Sequence, residues 1–127
     1  MAQRLQRFAG YRIDEKRAFL FAEGCDEGKV SVLDLKSGRL LGAASSGAGV
    51  DVIAYDQKLA HVYLPGADSV TIAIVGISSQ GTATVLKTAE TVEGAHCATV
   101  DDRDQVYVCD PAHGKILVFK DSLLPGQ

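Results

Sequence analysis

One pattern recurs three times along this chain of 127 residues. Each copy has an aspartate, an aromatic residue six or seven positions later, and an aliphatic β-branched residue nine positions after the aromatic one. The three copies are Asp14, Phe21 and Val30; Asp56, Tyr63 and Ile72; and Asp101, Tyr107 and Ile116. A repeat of about forty residues indicates a solenoid or a propeller before any other architecture.

The segments between the turn residues have the pattern of β-strands. Short apolar runs rich in β-branched and aromatic residues are bounded by Gly, Pro, Asp and Ser, and helical periodicity is nearly absent. Four antiparallel strands in about forty residues make one propeller blade. We therefore predict an all-β half-propeller of about three four-stranded antiparallel sheets in one domain, residues 1–127. The predicted blades are residues 9–48, 49–93 and 94–121.

Two segments carry a family resemblance. "GAHCATVDDRDQVYVCDPAHGKILVFKD" and "GVDVIAYDQKLAHVYLPGADSVTIAIV" resemble blades of the YVTN family of β-propellers and are also similar to NHL repeats. The resemblance covers about residues 9–121 and implies a propeller fold. Its relatives include binding proteins, lactonases and cofactor-bearing enzymes, so it implies no single activity. The chain departs from the usual six to eight blades, since it holds two blades and most of a third.

Composition narrows the class of partner. The formal charge is −3, with 46% apolar and 23% charged residues, and a nucleic-acid-binding face would need clustered basic residues. No apolar run approaches the ~20 residues that span a bilayer. "MAQRLQRFAG" lacks the apolar core of a signal peptide. A cytoplasmic location is favoured. A secreted or periplasmic location is the alternative, because a protein whose leader had been removed would have the same sequence features.

We expect the ligand surface at the loops of one propeller face. Loops between second and third strands share this face with the loops that join blades, and function concentrates on loops. The residues mapped there as candidate ligand-binding groups are Glu23, Asp26, Asp51, Asp68, His96, Asp110 and His113.

Among these candidates, His96 has a side chain that can serve as a base or as a metal ligand. It occupies the position of Asp51 in the preceding blade, where imidazole can act as a base or a metal ligand. A tolerated polar residue at a strand end is the favoured interpretation, because His61 and His113 form no zinc-type spacing with it. We therefore predict no metal and no cofactor, with a divalent cation left open. We also expect His96→Ala to weaken binding more than His61→Ala, since His61 maps away from this face.

Two further features have a geometric interpretation. "DDRD" at Asp101–Asp104 is best explained as turn chemistry, because aspartate bonds its own backbone. Cys97 and Cys109 are equally distant from a turn centred near residue 103, so they are expected to be cross-strand neighbours. A disulfide is sterically allowed there; two reduced cysteines that pack as small buried hydrophobes are the alternative, favoured in a reducing compartment.

The function that the sequence favours is a non-catalytic binding or interaction module with a small-molecule or protein ligand. A lactonase-type or other small-molecule hydrolase around His96, and a fragment of a larger propeller without its own activity, are the alternatives. After Asp121 only "SLLPGQ" follows, a poor outer strand, which leaves "KILVF" as an exposed edge. We therefore expect a homodimer that closes a six-bladed ring, with Ala2–Phe8 pairing onto strand 115–120 of the neighbouring chain.

Overall fold

The computed structural model describes residues 8–24 and 27–125, which form antiparallel sheets and no helix. These residues contain eleven strands, numbered here in chain order. The strands are β1 (Phe8–Asp14), β2 (Phe19–Gly24), β3 (Lys29–Asp34), β4 (Leu40–Ser45), β5 (Ala54–Asp56), β6 (His61–Gly66), β7 (Thr71–Ile77), β8 (Ala83–Glu90), β9 (Ala98–Val100), β10 (Gln105–Asp110) and β11 (Lys115–Lys120). None of the described residues lies in a helix that is long and apolar enough to cross a membrane.

The strands form three consecutive sheets, one for each sequence repeat. The first has the order β1-β2-β3-β4, the second β5-β6-β7-β8, and the third contains β9, β10 and β11. The predicted all-β class with about three antiparallel sheets is therefore confirmed. In the described part of the chain, β11 pairs only with β10, so one edge of the third blade is open.

The turn between the first two strands of each blade depends on the repeated aspartate. Asp101 Oδ1 accepts the backbone N–H groups of Arg103 at 2.9 Å and Gln105 at 3.0 Å. In the other blades, Asp14 and Asp56 accept the N–H of the third residue after them. These bonds confirm the interpretation of "DDRD" as turn chemistry.

Blade packing follows the side-chain alternation of the strands. We define the forward face of a blade as the repeated aromatic residue and the residues nine and eleven positions after it. Phe21, Val30 and Val32 form the forward face of blade 1, are fully buried, and pack against blade 2. Tyr63, Ile72 and Ile74 do the same between blades 2 and 3, at 0–4% exposure. Burial of each such aliphatic side chain stabilises the fold by roughly 1.5–3 kcal/mol.

The inner strands approach each other closely at the centre. Val52 forms a parallel bridge with Cys97, which joins blade 2 to blade 3. A Cβ atom at Gly10 would lie 3.1 Å from Asp51 O and 3.2 Å from the backbone nitrogen of Ile53. Glycine at this position therefore allows the first two inner strands to pack backbone against backbone.

The chain after β11 returns to blade 2 as an irregular segment. Asp121 lies beside His61, and the partly buried Leu123 packs against the cluster between blades 2 and 3. The segment named for strand exchange is corrected at one residue: Phe8 belongs to β1 and pairs with Gly24. Residues 2–7 lie outside the described residues.

Candidate functional site

The two cysteines of blade 3 meet at its loop end. The register of β9 and β10 places Ala98 opposite Val108, so the preceding Cys97 lies beside Cys109. Their Cα atoms are 5.7 Å apart, and the Cys109 N–H donates to Cys97 O at 3.1 Å. The predicted cross-strand placement is therefore confirmed. The sulfur atoms are joined as a disulfide in the structure, whereas the sequence favours reduced thiols.

His96 completes a group of three side chains at this position. Its Nδ1 atom lies 2.7 Å from Gly94 O and 3.8 Å from Cys109 Sγ. One ligand atom from each of His96, Cys97 and Cys109 lies within 4.8 Å of the other two. Histidine spacing alone missed this group, since one partner is the next residue and the other is supplied by the hairpin.

Glu23 is not on an exposed loop, contrary to the sequence-based map. Strand β2 continues through Gly24, and the Glu23 side chain is fully buried with neither carboxylate oxygen hydrogen-bonded. Burial raises the pKa of Glu23 to about 7; the Lys29 backbone N–H opposes this shift, and the Asp51 carboxylate adds to it. The side chain is therefore a buried carboxyl group with a pKa near neutral pH, and it is not an exposed ligand-binding group.

Asp110 and His113 act together within one turn. The Asp110 carboxylate is 4% exposed, and its Oδ2 atom lies 2.9 Å from Nδ1 of the exposed His113. Its Oδ1 atom also accepts the backbone N–H of His113 at 3.3 Å. This pair closes the β10–β11 turn, which gives both residues a local structural role.

The remaining candidates are spread along the face. Asp51 is exposed and donates its backbone N–H to His96 O at 3.1 Å, so it adjoins the three-residue group. Asp68 is exposed and lies against Gly49. Asp26 falls outside the described residues. The structure thus brings His96, Cys97, Cys109 and Asp51 together.

His61 lies at the other end of its strand from the loop face. It begins β6, is fully buried, and contacts Asp121 and Leu124 O through its two ring nitrogens. Its placement away from the loop face is as expected. His61→Ala is nevertheless unsuitable as a neutral control, because the ring holds the segment after β11.

No family model matches the chain, and no curated protein matches it. Solved structures do. A chain of the mitotic checkpoint complex superposes with a TM-score of 0.77 at 8% identity, covering 88% of this chain and 35% of that one. Hydrazine synthase of Kuenenia stuttgartiensis superposes with a TM-score of 0.70 at 14% identity, covering 98% of this chain and 39% of that one.

A β-propeller domain from Myceliophteria thermophila gives a TM-score of 0.60 at 12% identity, covering 88% of this chain and 38% of that one. This chain thus spans less than two fifths of each of these three structures. Similarity at such low sequence identity shows a shared fold and no shared activity. It also does not identify the propeller family, so the YVTN and NHL resemblance stays a prediction. The chain is a set of β-propeller blades.

Proposed function

We propose that this chain is a non-catalytic interaction module whose third blade docks onto the first blade of a second copy. One observation carries the proposal. The forward faces of blades 1 and 2 are buried, whereas in blade 3 two of the same three positions are exposed and the third is half-buried. Tyr107 is half-buried, Ile116 is 59% exposed and Val118 is 54% exposed. A surface built like two buried interfaces is expected to pack against another blade.

Blade 1 offers the matching surface. We define the receiving face of a blade as the side that packs on the forward face before it, which in blade 2 includes Tyr55. The Tyr55 ring packs on Phe21 with ring centroids 4.5 Å apart. Ile13 has the equivalent position in blade 1 and is 51% exposed, and Leu20 and Leu33 beside it are half-buried.

The two open faces are therefore complementary in the same way as the faces buried inside the chain. Contact between the forward face of one copy and the receiving face of another repeats the blade 1–blade 2 interface. Two copies form two such contacts and close a ring of six blades, a usual number for propellers. A second copy is the occupant that this equivalence favours.

The open edge of β11 adds a second means of association. Its backbone groups on that side have no strand partner among the described residues, and such an edge accepts a strand from another chain. Residues 2–7 of the neighbouring chain are the segment that we propose for this position. The strand would complete the third blade at four strands.

The loop face is the surface that we propose for a ligand of the ring. Asp51 and His96 lie just before the inner strands β5 and β9 and are held together by the backbone bond between them. In a closed ring both copies present this pair around one channel. A small molecule or a protein segment at the channel mouth would then contact both chains.

Light scattering tests the assembly. We expect wild-type protein at about 50 µM to have twice the mass of one chain. Ile116→Glu combined with Val118→Glu places two charges on the forward face and is expected to give a folded monomer, because burying unpaired carboxylates is costly. Val85→Glu on β8, where Val85 is 40% exposed, is the matched control and should stay dimeric. A folded wild-type monomer at this concentration contradicts the proposal.

A further inference from the structure

We propose that His96, Cys97 and Cys109 bind one Zn²⁺ ion when the cysteines are reduced, and that the disulfide is the alternative state of the same site. The ligands come from one chain, so the inference goes beyond the six-bladed ring and does not depend on it. Sulfur and imidazole nitrogen are the ligands that zinc prefers in proteins.

The spacing of the three side chains suits a zinc ion. Zinc binds sulfur at ~2.3 Å and histidine nitrogen at ~2.0 Å in tetrahedral sites, which places ligand atoms roughly 3.5–4 Å apart. The ligand atoms here lie within 4.8 Å of one another while the two sulfurs are joined as a disulfide. After reduction, side-chain rotation can separate the sulfurs to the zinc spacing, while the β9–β10 register fixes the cysteine backbones.

The His96 ring must give up a hydrogen bond to bind the metal. Nδ1 lies 2.7 Å from Gly94 O, and a carbonyl oxygen only accepts hydrogen bonds, so Nδ1 carries the proton and donates. Nδ1 is also the ring nitrogen that lies 3.8 Å from Cys109 Sγ. Metal binding therefore exchanges the Gly94 hydrogen bond for a bond from an unprotonated ring nitrogen to Zn²⁺.

The surroundings of the group also favour a cation. Asp51 is exposed and adjoins the group through the bond from its backbone N–H to His96 O. A negative charge nearby attracts Zn²⁺. Three protein ligands leave a fourth position for water or for a ligand, as in zinc sites that exchange their ligands.

Switching between the two states requires a dithiol reductant. The reductant transfers two electrons and two protons to the Cys97–Cys109 bond and is itself oxidised to a disulfide. Zn²⁺ then binds both sulfurs as thiolates, and the two thiol protons are released to solvent. Removal of the metal and loss of two electrons to an oxidising disulfide restores the protein disulfide.

Cobalt and zinc titration tests the site directly. Protein is reduced with dithiothreitol, desalted without oxygen, and titrated with Co²⁺ while sulfur-to-cobalt charge transfer is recorded in the near ultraviolet. We expect one equivalent per chain, displacement by one equivalent of Zn²⁺, and no such band in oxidised protein. His96→Ala should lower Zn²⁺ affinity at least ~10-fold, as loss of even an outer-shell partner does. Cys97→Ser combined with Cys109→Ser should abolish the band, because no thiolate ligand of the group then remains.

Two control variants separate this site from other groups. Cys25→Ser removes the remaining thiol, and His113→Ala removes another histidine of the loop face; both should bind as wild type does. Circular dichroism shows whether each variant is folded, and light scattering on the same samples shows that metal uptake and ring formation are separate results. Reduced wild-type protein without the charge-transfer band, or equal binding by folded His96→Ala and wild-type protein, would overturn the proposal.

Discussion

His61 Nδ1 lies 2.6 Å from Asp121 Oδ2, although sixty residues separate them, and both side chains are fully buried. The Tyr63 hydroxyl donates to the same carboxylate oxygen, and His61 Nε2 lies 2.8 Å from Leu124 O. This group fastens the segment after β11 to blade 2. The contact therefore connects the end of the described chain to the middle of the fold.

We predict that His61→Ala lowers the free energy of unfolding by about 3 kcal/mol, because removing one partner of a buried hydrogen bond leaves the Asp121 carboxylate poorly compensated. Urea denaturation at neutral pH measures the loss. His96→Ala, on a half-buried ring bonded to one carbonyl, should cost less than about 1 kcal/mol. Equal losses in the two variants would show that the buried group has no special role.

Glu23 makes stability depend on pH in an unusual direction. Its folded pKa of about 7 is above the ordinary value of 4.5, so the folded state holds the proton more tightly. The favourable contribution of the protonated Glu23 to the free energy of unfolding is complete below pH 4.5. It is lost as the pH rises from there to about 7.

We therefore predict that Glu23→Gln stabilises the protein at pH 8 by on the order of 2 kcal/mol, and that the gain disappears near pH 4.5. Denaturation of both proteins across this range measures the difference. The exposed Glu15→Gln is the control and should change stability little at either pH. A Glu23→Gln effect that is the same at both ends of the range would exclude the buried charge as its cause.

Gly42 determines how closely the outer parts of blades 1 and 2 pack. A Cβ atom there would lie 2.5 Å from Gly81 O and 3.2 Å from the Ala83 nitrogen. We predict that Gly42→Ala costs about 2 kcal/mol, since the overlap involves backbone that cannot rotate away. Gly24→Ala, whose nearest neighbour is 3.9 Å away, should be close to neutral in the same thermal unfolding measurement.

The sequence predicts the structural features that follow from the repeat, namely the equivalent strands and the turns between them. Equal spacing from Phe21 to Val30 and from Tyr63 to Ile72 identifies equivalent strands, and equal distances from the turn bring Cys97 and Cys109 together. These relations are local or periodic, so they can be counted along the chain.

Other relations depend on packing between distant residues. Glu23 looks like a loop acid because the Gly- and Asp-rich segment 24–28 follows it directly, but β2 runs through it and its side chain is fully buried. No local pattern indicates that Asp121 meets His61. The link between His96 and Cys109 likewise needs the hairpin register and not a spacing rule for histidines.

Mixing two complementary variants tests the central claim most directly. Ile116→Glu blocks the forward face and Ile13→Lys blocks the receiving face, so each variant alone has both contacts of the ring damaged. A one-to-one mixture regains one intact contact and one opposite-charge pair. We predict by light scattering that each variant is monomeric at about 50 µM and that the mixture is dimeric. A variant that dimerises alone, or a mixture that stays monomeric while the wild type is dimeric, would contradict docking of the forward face on the receiving face.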